Sequence, residues 1–360
     1  MQTAAEVISG LPLRFFLERE LKGRFMGRNR LHPNHDSSMP PRAVENTTGA
    51  GGSHVPPPLL RVGAVQYLNT KPLVHGLASA GGSREAPNTV RVRLSYDLPS
   101  RLADQLAAAA LDVALIPIVE VFRGGWQVIT DACIGCRGPV MSVKLFFRTA
   151  PQRVERIALD EGSRTSAALA QVLLNERYGI RPAVEPLPIG SGIEATDADA
   201  VLLIGDRALG SHGGPATAGS QTNGSFQLVW DLGDEWCRWT GLPFVFAAWA
   251  ARPGVDTSPL EPLLMAARDR GVANLAAIAA AEAPRHGLTV QQCLSYFRDN
   301  LHYHIGKAEQ EAIRRFRECT GALGLLTAAP QPTAAVCRHA SAADPLGPEA
   351  GASADQKTQE

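Results

Sequence analysis

The sequence predicts an α/β fold built from two units with mostly parallel sheets. Three observations carry that expectation. Short apolar, β-branched runs alternate with amphipathic helical stretches from residue 60 onward. The strongest runs, 60–65, 113–116, 200–204 and 244–251, are apolar at nearly every position, the mark of strands covered on both faces. The same rhythm starts afresh near Arg156, which makes a second unit.

Residues 60–73, LRVGAVQYLNTKPL, set the pattern: a buried strand over 60–65, a polar turn, then a helix. Asn69 and Thr70 are N-cap types, and Pro72 suits a first helical turn. Strand 89–94 follows, then helix 100–110, opened by Pro99-Ser100 and carrying Leu102, Leu106 and Ala110 as its apolar stripe. Strand 113–116 ends at Pro117, a short helix begins at Val119, and 127–130 and 140–147 read as strands. The second unit opens with strand 157–160 and helix 163–178, continues with strands 183–187 and 200–204, and breaks at a Gly/Ser/Thr-rich loop over 211–224. Strand 244–251 and helices over 260–282, 290–300 and 307–319 complete the chain.

Two such units are either independent domains or two lobes joined by two passages, near 148–154 and near 243–247. The second arrangement makes a cleft lined by the C-terminal ends of strands. In that case 59–150 and 247–325 form lobe 1 and 151–246 form lobe 2. Residues 1–58 and 326–360 hold little to bury and read as a disordered extension, or a misplaced start codon, and a disordered tail.

Composition narrows the function classes. The chain has 360 residues, 45% hydrophobic and 19% charged, which describes a globular protein with a sizeable core. Its 35 basic and 35 acidic residues balance, leaving no electrostatic footprint for nucleic acid or an anionic membrane. The apolar run 106–118 is interrupted by Asp112 and too short to span a bilayer. Six irregularly spaced cysteines do not make a disulfide framework, and the N-terminal segment lacks the order of a signal peptide, so the cytoplasm is the default compartment.

Several short blocks could carry chemistry. Asn69-Thr70 is either a plain helix cap or a place for an anion. Ser142, alternating with apolar neighbours in a strand, has no Gly-x-Ser-x-Gly setting and no nearby histidine, so a triad nucleophile is unsupported. Ser163, Arg164, Thr165 and Ser166 follow a strand and open a helix, which puts hydroxyls beside unpaired N–H groups and suits a carboxylate or phosphate. Asp206 stands at the C-terminal tip of a buried strand, where it either orients a hydroxyl or caps the next turn. Cys133 and Cys136 lack a second pair and read as a loop before a strand, unlike a zinc or thioredoxin site. His302 and His304 flank Tyr303 at a helix end, where cap or solvated roles suffice.

Together these blocks resemble the chorismate dehydratases of the futalosine route to menaquinone. The matching pieces are 63–72 (GAVQYLNTKP), 111–117 (LDVALIP), 138–143 (GPVMSV), 159–166 (LDEGSRTS), 202–206 (LLIGD) and 240–247 (TGLPFVFA), within 59–325. Gln66 departs from the pattern, which more often has Ser there. The resemblance implies a type II periplasmic-binding-protein-like fold with two α/β lobes, two crossover strands and an interlobe cleft. It implies a lyase that removes water from chorismate to give 3-[(1-carboxyvinyl)oxy]benzoate, without a metal or redox cofactor. Asn69 and Ser142 are then the catalytic residues, and Thr70, Ser163, Arg164, Thr165, Ser166 and Asp206 bind substrate. Chorismate is the only partner implied, with no nucleic acid and no membrane, and the oligomeric state is left open. The rivals are the sister enzyme that forms 1,4-dihydroxy-6-naphthoate and a non-catalytic solute-binding or sensor protein. The Ser-Arg-Thr-Ser block and the 240–247 strand favour the dehydratase.

Overall fold

A computed structural model describes residues 58–77, 90–210 and 226–327. The expected N-terminal extension up to residue 57, the 211–224 loop and the tail from residue 328 lie outside the described residues.

Eleven strands are described, in two sheets. The first runs β11-β4-β10-β3-β1-β2 and the second β7-β6-β8-β5-β9, numbered along the chain. In the first sheet β1 (Leu59–Val65), β2 (Arg91–Asp97), β3 (Val113–Pro117) and β4 (Gln127–Cys136) are joined by β10 (Phe244–Ala251) and β11 (His302–His304). In the second, β5 (Val143–Phe147), β6 (Arg156–Asp160), β7 (Ala183–Leu187), β8 (Ala200–Ile204) and β9 (Leu228–Asp231) pair. Strands β3, β5, β8 and β10 are buried along their whole length; β3, β8 and β10 are apolar throughout, and β5 carries one buried charge, Lys144.

The sheets are mixed and not mostly parallel. β1 pairs parallel with β2 and β3, and β6 with β7 and β8. β10 runs antiparallel to β3 and β4, and β5 antiparallel to β8 and β9. Connectivity is the reason. β4 ends at the cleft and the chain crosses, so β5 enters the second sheet from its cleft side and must run against β8. The return through β9 makes β10 do the same in the first sheet. The passages are therefore 137–142 and 241–243. The expected first passage at 148–154 and the assignment of 143–150 to lobe 1 are corrected by the pairing of β5 with β8.

Other expectations shift for local reasons. The predicted helix after β1 is a 3-10 helix, Leu68–Val74, capped at Tyr67 without a side-chain bond, so Asn69 and Thr70 lie inside it and do not cap it. The Cys133–Cys136 block is part of β4 and is no loop. The expected 260–282 helix is two helices, α6 (Glu261–Ala273) and α7 (Leu275–Glu282). They break where the Asn274 side chain bonds the Arg270 carbonyl at 2.7 Å, competing with the backbone ladder. The 290–300 helix starts as α8 (Val290–Ser295) and finishes as a π turn, Tyr296–Asn300. His302 and His304 belong to edge strand β11.

The remaining helices are α1 (Pro99–Ala107), α2 (Ile118–Gly124), α3 (Arg164–Tyr178), α4 (Asp206–Gly210), α5 (Leu232–Thr240) and α9 (Lys307–Ala322). Trp236 of α5, Phe244 of β10 and Phe316 of α9 meet edge to face, with centroids 5.0–5.8 Å apart. This cluster clamps the second passage, and α9 touches β10, α2 and α3, elements of both lobes. Among the described residues no helix is long and apolar enough to cross a membrane.

The 3-10 helix that carries Asn69 rests on α6 at Gly271, where an added Cβ would lie 1.9 Å from the Pro72 carbonyl oxygen. That contact is backbone to backbone and cannot relax by a rotamer change. Gly271→Ala should therefore lose about 1–3 kcal/mol in urea unfolding and displace Asn69.

Candidate active site

The parallel strands of both sheets deliver their C-terminal ends to one cleft. Lobe 1 contributes Tyr67 and Asn69 beyond β1, Pro117 at the end of β3, and Phe246 of β10. Lobe 2 contributes Ser163 and Ser166 beyond β6, Gly205 beyond β8, and Ser142 with Val143 at the start of β5. The polar side chains in this lining are two hydroxyl-bearing serines at the α3 start, Ser142, Asn69 and Tyr67. None of the lining residues is Asp, Glu, His, Lys or Arg.

Ser142 is not in a strand. Val140 to Val143 turn sharply, and Met141 between them has φ +62°, a left-handed backbone rare for a side chain of this kind. Asp231 holds that turn. Its Oδ1 accepts from the Val140 N–H at 2.9 Å and its Oδ2 from the Met141 N–H at 2.6 Å. The same carboxylate caps α5, accepting from the Gly233 and Asp234 N–H groups at 3.0 and 3.2 Å. Burial pushes the Asp231 pKa up, while these donors and the nearby Lys144 ammonium oppose the shift. On its other side Ser142 gives its carbonyl to the Gly205 N–H at 2.8 Å, which ties it to the end of β8.

Asn69 and Ser142 converge on a third residue that sequence reasoning missed. The Tyr296 phenol, 2% exposed, lies next to both side chains. The sequence around it, VQQCLSYFRDN over 290–300, holds no local motif that marks it. Burial pushes the Tyr296 pKa far up, so the phenol stays protonated at working pH.

At the α3 start Ser163 is the N-cap, its Oγ accepting from the Ser166 N–H at 3.3 Å, and the two hydroxyls are 2.9 Å apart. The other expected binding residues lie off the cleft lining. Thr70 is buried and donates to Asn69 Oδ1 at 3.3 Å. Thr165 is buried and its Oγ1 accepts from the Val119 N–H at 3.3 Å, fixing α2 against α3. Arg164 pairs with Asp104 at 2.9 Å and with Glu120 at 3.6 Å, outside the cleft. Asp206 accepts from the Leu68 N–H at 3.2 Å and lies 3.3 Å from His286 Nδ1, so it joins lobe 2 to the 3-10 helix of lobe 1. Gln66, the departure from the family pattern, is exposed and gives its N–H to the Asp97 carbonyl at 3.0 Å.

Tyr67 closes one wall. Its ring atoms lie 2.9 Å from where a Gly205 Cβ would stand, and Gly205 has φ +64°, so only glycine fits beneath the ring. Burial and the Asp160 carboxylate push the Tyr67 phenol up, and the Arg207 guanidinium partly offsets them. Asp160 in turn is bonded by the Gly162 and Ile204 N–H groups at 2.9 and 3.2 Å and paired with Arg207, locking the ends of β6 and β8 together. Cys133 and Cys136 are buried on β4 away from this chemistry, and among the described residues no His/Cys/Asp/Glu cluster could hold a metal ion.

The Asp231 carboxylate can be tested directly. In Asp231→Asn one oxygen becomes an NH2 group facing a backbone N–H, which leaves at least one buried donor unpaired. Urea unfolding should show a loss of about 1–3 kcal/mol, with turnover reduced because the Ser142 turn is no longer pinned.

Comparisons with known proteins bear on the family and the fold. A family model described as menaquinone biosynthesis matches residues 60–322. The chain is 30% identical over 272 residues to a chorismate dehydratase of Thermus thermophilus, covering 72% of this chain and 94% of that protein. Among solved structures, protein AF1704 of Archaeoglobus fulgidus has the same fold, with a TM-score of 0.57 at 16% identity, covering 74% of this chain and 98% of that one. The alkanesulfonate-binding protein SsuA of Xanthomonas axonopodis pv. citri is similar at a TM-score of 0.48 and 11% identity, covering 76% of this chain and 94% of that one. With its two-lobed α/β fold and a match that runs through every element lining the cleft, the chain belongs to the menaquinone biosynthesis family.

Proposed function

We propose that the cleft binds chorismate and dehydrates it to 3-[(1-carboxyvinyl)oxy]benzoate, which makes the chain a carbon–oxygen lyase. The observation that carries this reading is the neutral polar lining, in which Tyr67, Asn69, Ser142, Ser163 and Ser166 offer hydrogen bonds.

The reaction removes a proton from the ring carbon bearing the enolpyruvyl ether and hydroxide from its neighbour, and the two leave as one water. Aromatisation drives it, so the protein's tasks are to orient the ring and exclude water. In this reading the substrate's own enolpyruvyl carboxylate takes the proton. The start of α3, with Ser163 and Ser166 and the positive end of a 15-residue helix, receives a carboxylate of the dianion. Asn69 orients and polarises the substrate through its amide, and Ser142 donates to the departing hydroxide.

Purified protein incubated with chorismate should yield the aromatic enol ether, followed by mass and absorbance, and absence of that product would overturn the reading. Asn69→Ala and Ser142→Ala should each lower kcat by about ten- to a thousandfold, the scale of one lost oriented donor.

A further inference from the structure

The 3-10 helix that carries Asn69 has no side-chain cap of its own. Tyr67 at its start makes no capping bond, and a 3-10 helix of seven residues is a weak element by itself. The missing acceptor comes from the other lobe: Asp206 Oδ1 takes the Leu68 N–H at 3.2 Å. A carboxylate there also meets the positive end of the helix. Two residues past Asn69, Lys71 pairs with Glu282 of α7 at 3.2 Å. Asn69 is thus bracketed by two carboxylates, one from each lobe.

His286 stands between those carboxylates. It ends the 3-10 turn Ala283–His286, which follows α7 directly. Its Nδ1 is 3.3 Å from Asp206 Oδ2 and its Nε2 is 3.6 Å from Glu282 Oε2. The Asp206 carboxylate therefore divides its work: Oδ1 faces the helix and Oδ2 faces the ring. The terminal torsion of an aspartate is soft, so a carboxylate held at one oxygen can turn, whereas one held at both keeps its plane. The Asp206 contact is the shorter of the two and the one that crosses between the lobes. His286, Asp206, Glu282 and Lys71 are all half-buried, so solvent screens their charges less than it would those of a surface pair.

We propose that His286 is a positioning residue for Asn69: with its Nδ1–H toward Asp206 it orients that carboxylate, and the oriented carboxylate caps the 3-10 helix from the other lobe. The proposal rests on the dehydratase reading of the cleft. His286 does not line the cleft, so its effect passes through Asp206 and the Leu68 N–H to the next residue in the chain. The Asn69 amide moves with the helix, because the hydroxyl that holds its Oδ1 at 3.3 Å belongs to Thr70 on the same helix. Misplacement of a reacting group by about 1 Å costs up to roughly a hundredfold in rate.

The test is a double-mutant cycle on the full chain with chorismate, comparing wild type, His286→Ala, Asn69→Ala and the double variant, with two conservative replacements beside it. His286→Ala should lower kcat by roughly five- to fiftyfold, with KM changed by less than about threefold. In the Asn69→Ala background the same replacement should cost less than about twofold, because the group it positions is gone. His286→Asn sets an amide N–H where Nδ1 stands and should recover kcat to within about threefold of wild type. His286→Gln sets its amide where Nε2 stands, toward Glu282, and should stay within about twofold of His286→Ala. An unchanged kcat in His286→Ala, an equal loss in both backgrounds as general misfolding would give, a loss confined to KM, or recovery by Gln as good as by Asn would each overturn the proposal. Failure of the wild-type chain to make product overturns the dehydratase reading and this role with it, whereas product formation with full-rate His286→Ala overturns the role of His286 alone.

Discussion

Everything at the site depends on the four backbone bonds accepted by one half-buried carboxylate. Asp231 ends β9, caps the start of α5 and pins the left-handed turn at Met141 in the first passage, so a single side chain ties that passage to the second lobe. A left-handed non-glycine residue costs on the order of 1–3 kcal/mol and persists only where its surroundings over-determine it. Two charge-assisted bonds to consecutive N–H groups supply that determination. Without the turn, 140–143 would run straight into β5 and Ser142 would take its place in the pleat. With it, Ser142 faces the cleft and its carbonyl reaches Gly205.

A second set of contacts brings the walls together across the cleft. Tyr67 of lobe 1 lies on Gly205 and beside Gly162 of lobe 2, and Asp206 of lobe 2 reaches the Leu68 N–H and His286. These contacts converge on the 3-10 helix, so the element carrying Asn69 is held from both lobes. Asp206 lies off the cleft lining and holds the segment that carries Asn69 through the backbone. Glycine at 205 serves two demands at once, the positive φ of the turn and the room for an aromatic ring above it.

Much of the fold was legible because burial writes itself into local sequence. The runs 113–117, 200–204 and 244–251 are apolar at nearly every step and could only be covered strands, and Ser163 before an apolar-periodic stretch could only open a helix. Asn69 and Ser142 stood out by family pattern, since each stands in a short block whose neighbours match, and the structure places both in the cleft lining. What escaped was whatever a distant partner decides. Ser142 looks like a strand residue until Asp231, ninety residues away, bends the chain. The antiparallel entry of β5 and β10 follows from which sheet each strand joins, and no window of sequence holds that. Tyr296 has no local motif at all, because the polar side chains it lies beside are more than 150 residues upstream.

A neutral cleft for a dianion looks paradoxical until ground state and transition state are weighed separately. An arginine would hold chorismate and its transition state about equally, lowering KM without raising kcat. A protein carboxylate or imidazole acting as base would sit against two substrate carboxylates, and the repulsion would raise its pKa and oppose binding. Oriented amide, hydroxyl and backbone donors avoid both penalties. Their dipoles are fixed before substrate arrives, and in a water-poor space they respond most strongly to charge that grows during the reaction. In the proposed dehydration the charge that grows is on the departing hydroxide, and the proposed donor to it is Ser142, whose turn Asp231 holds through the backbone.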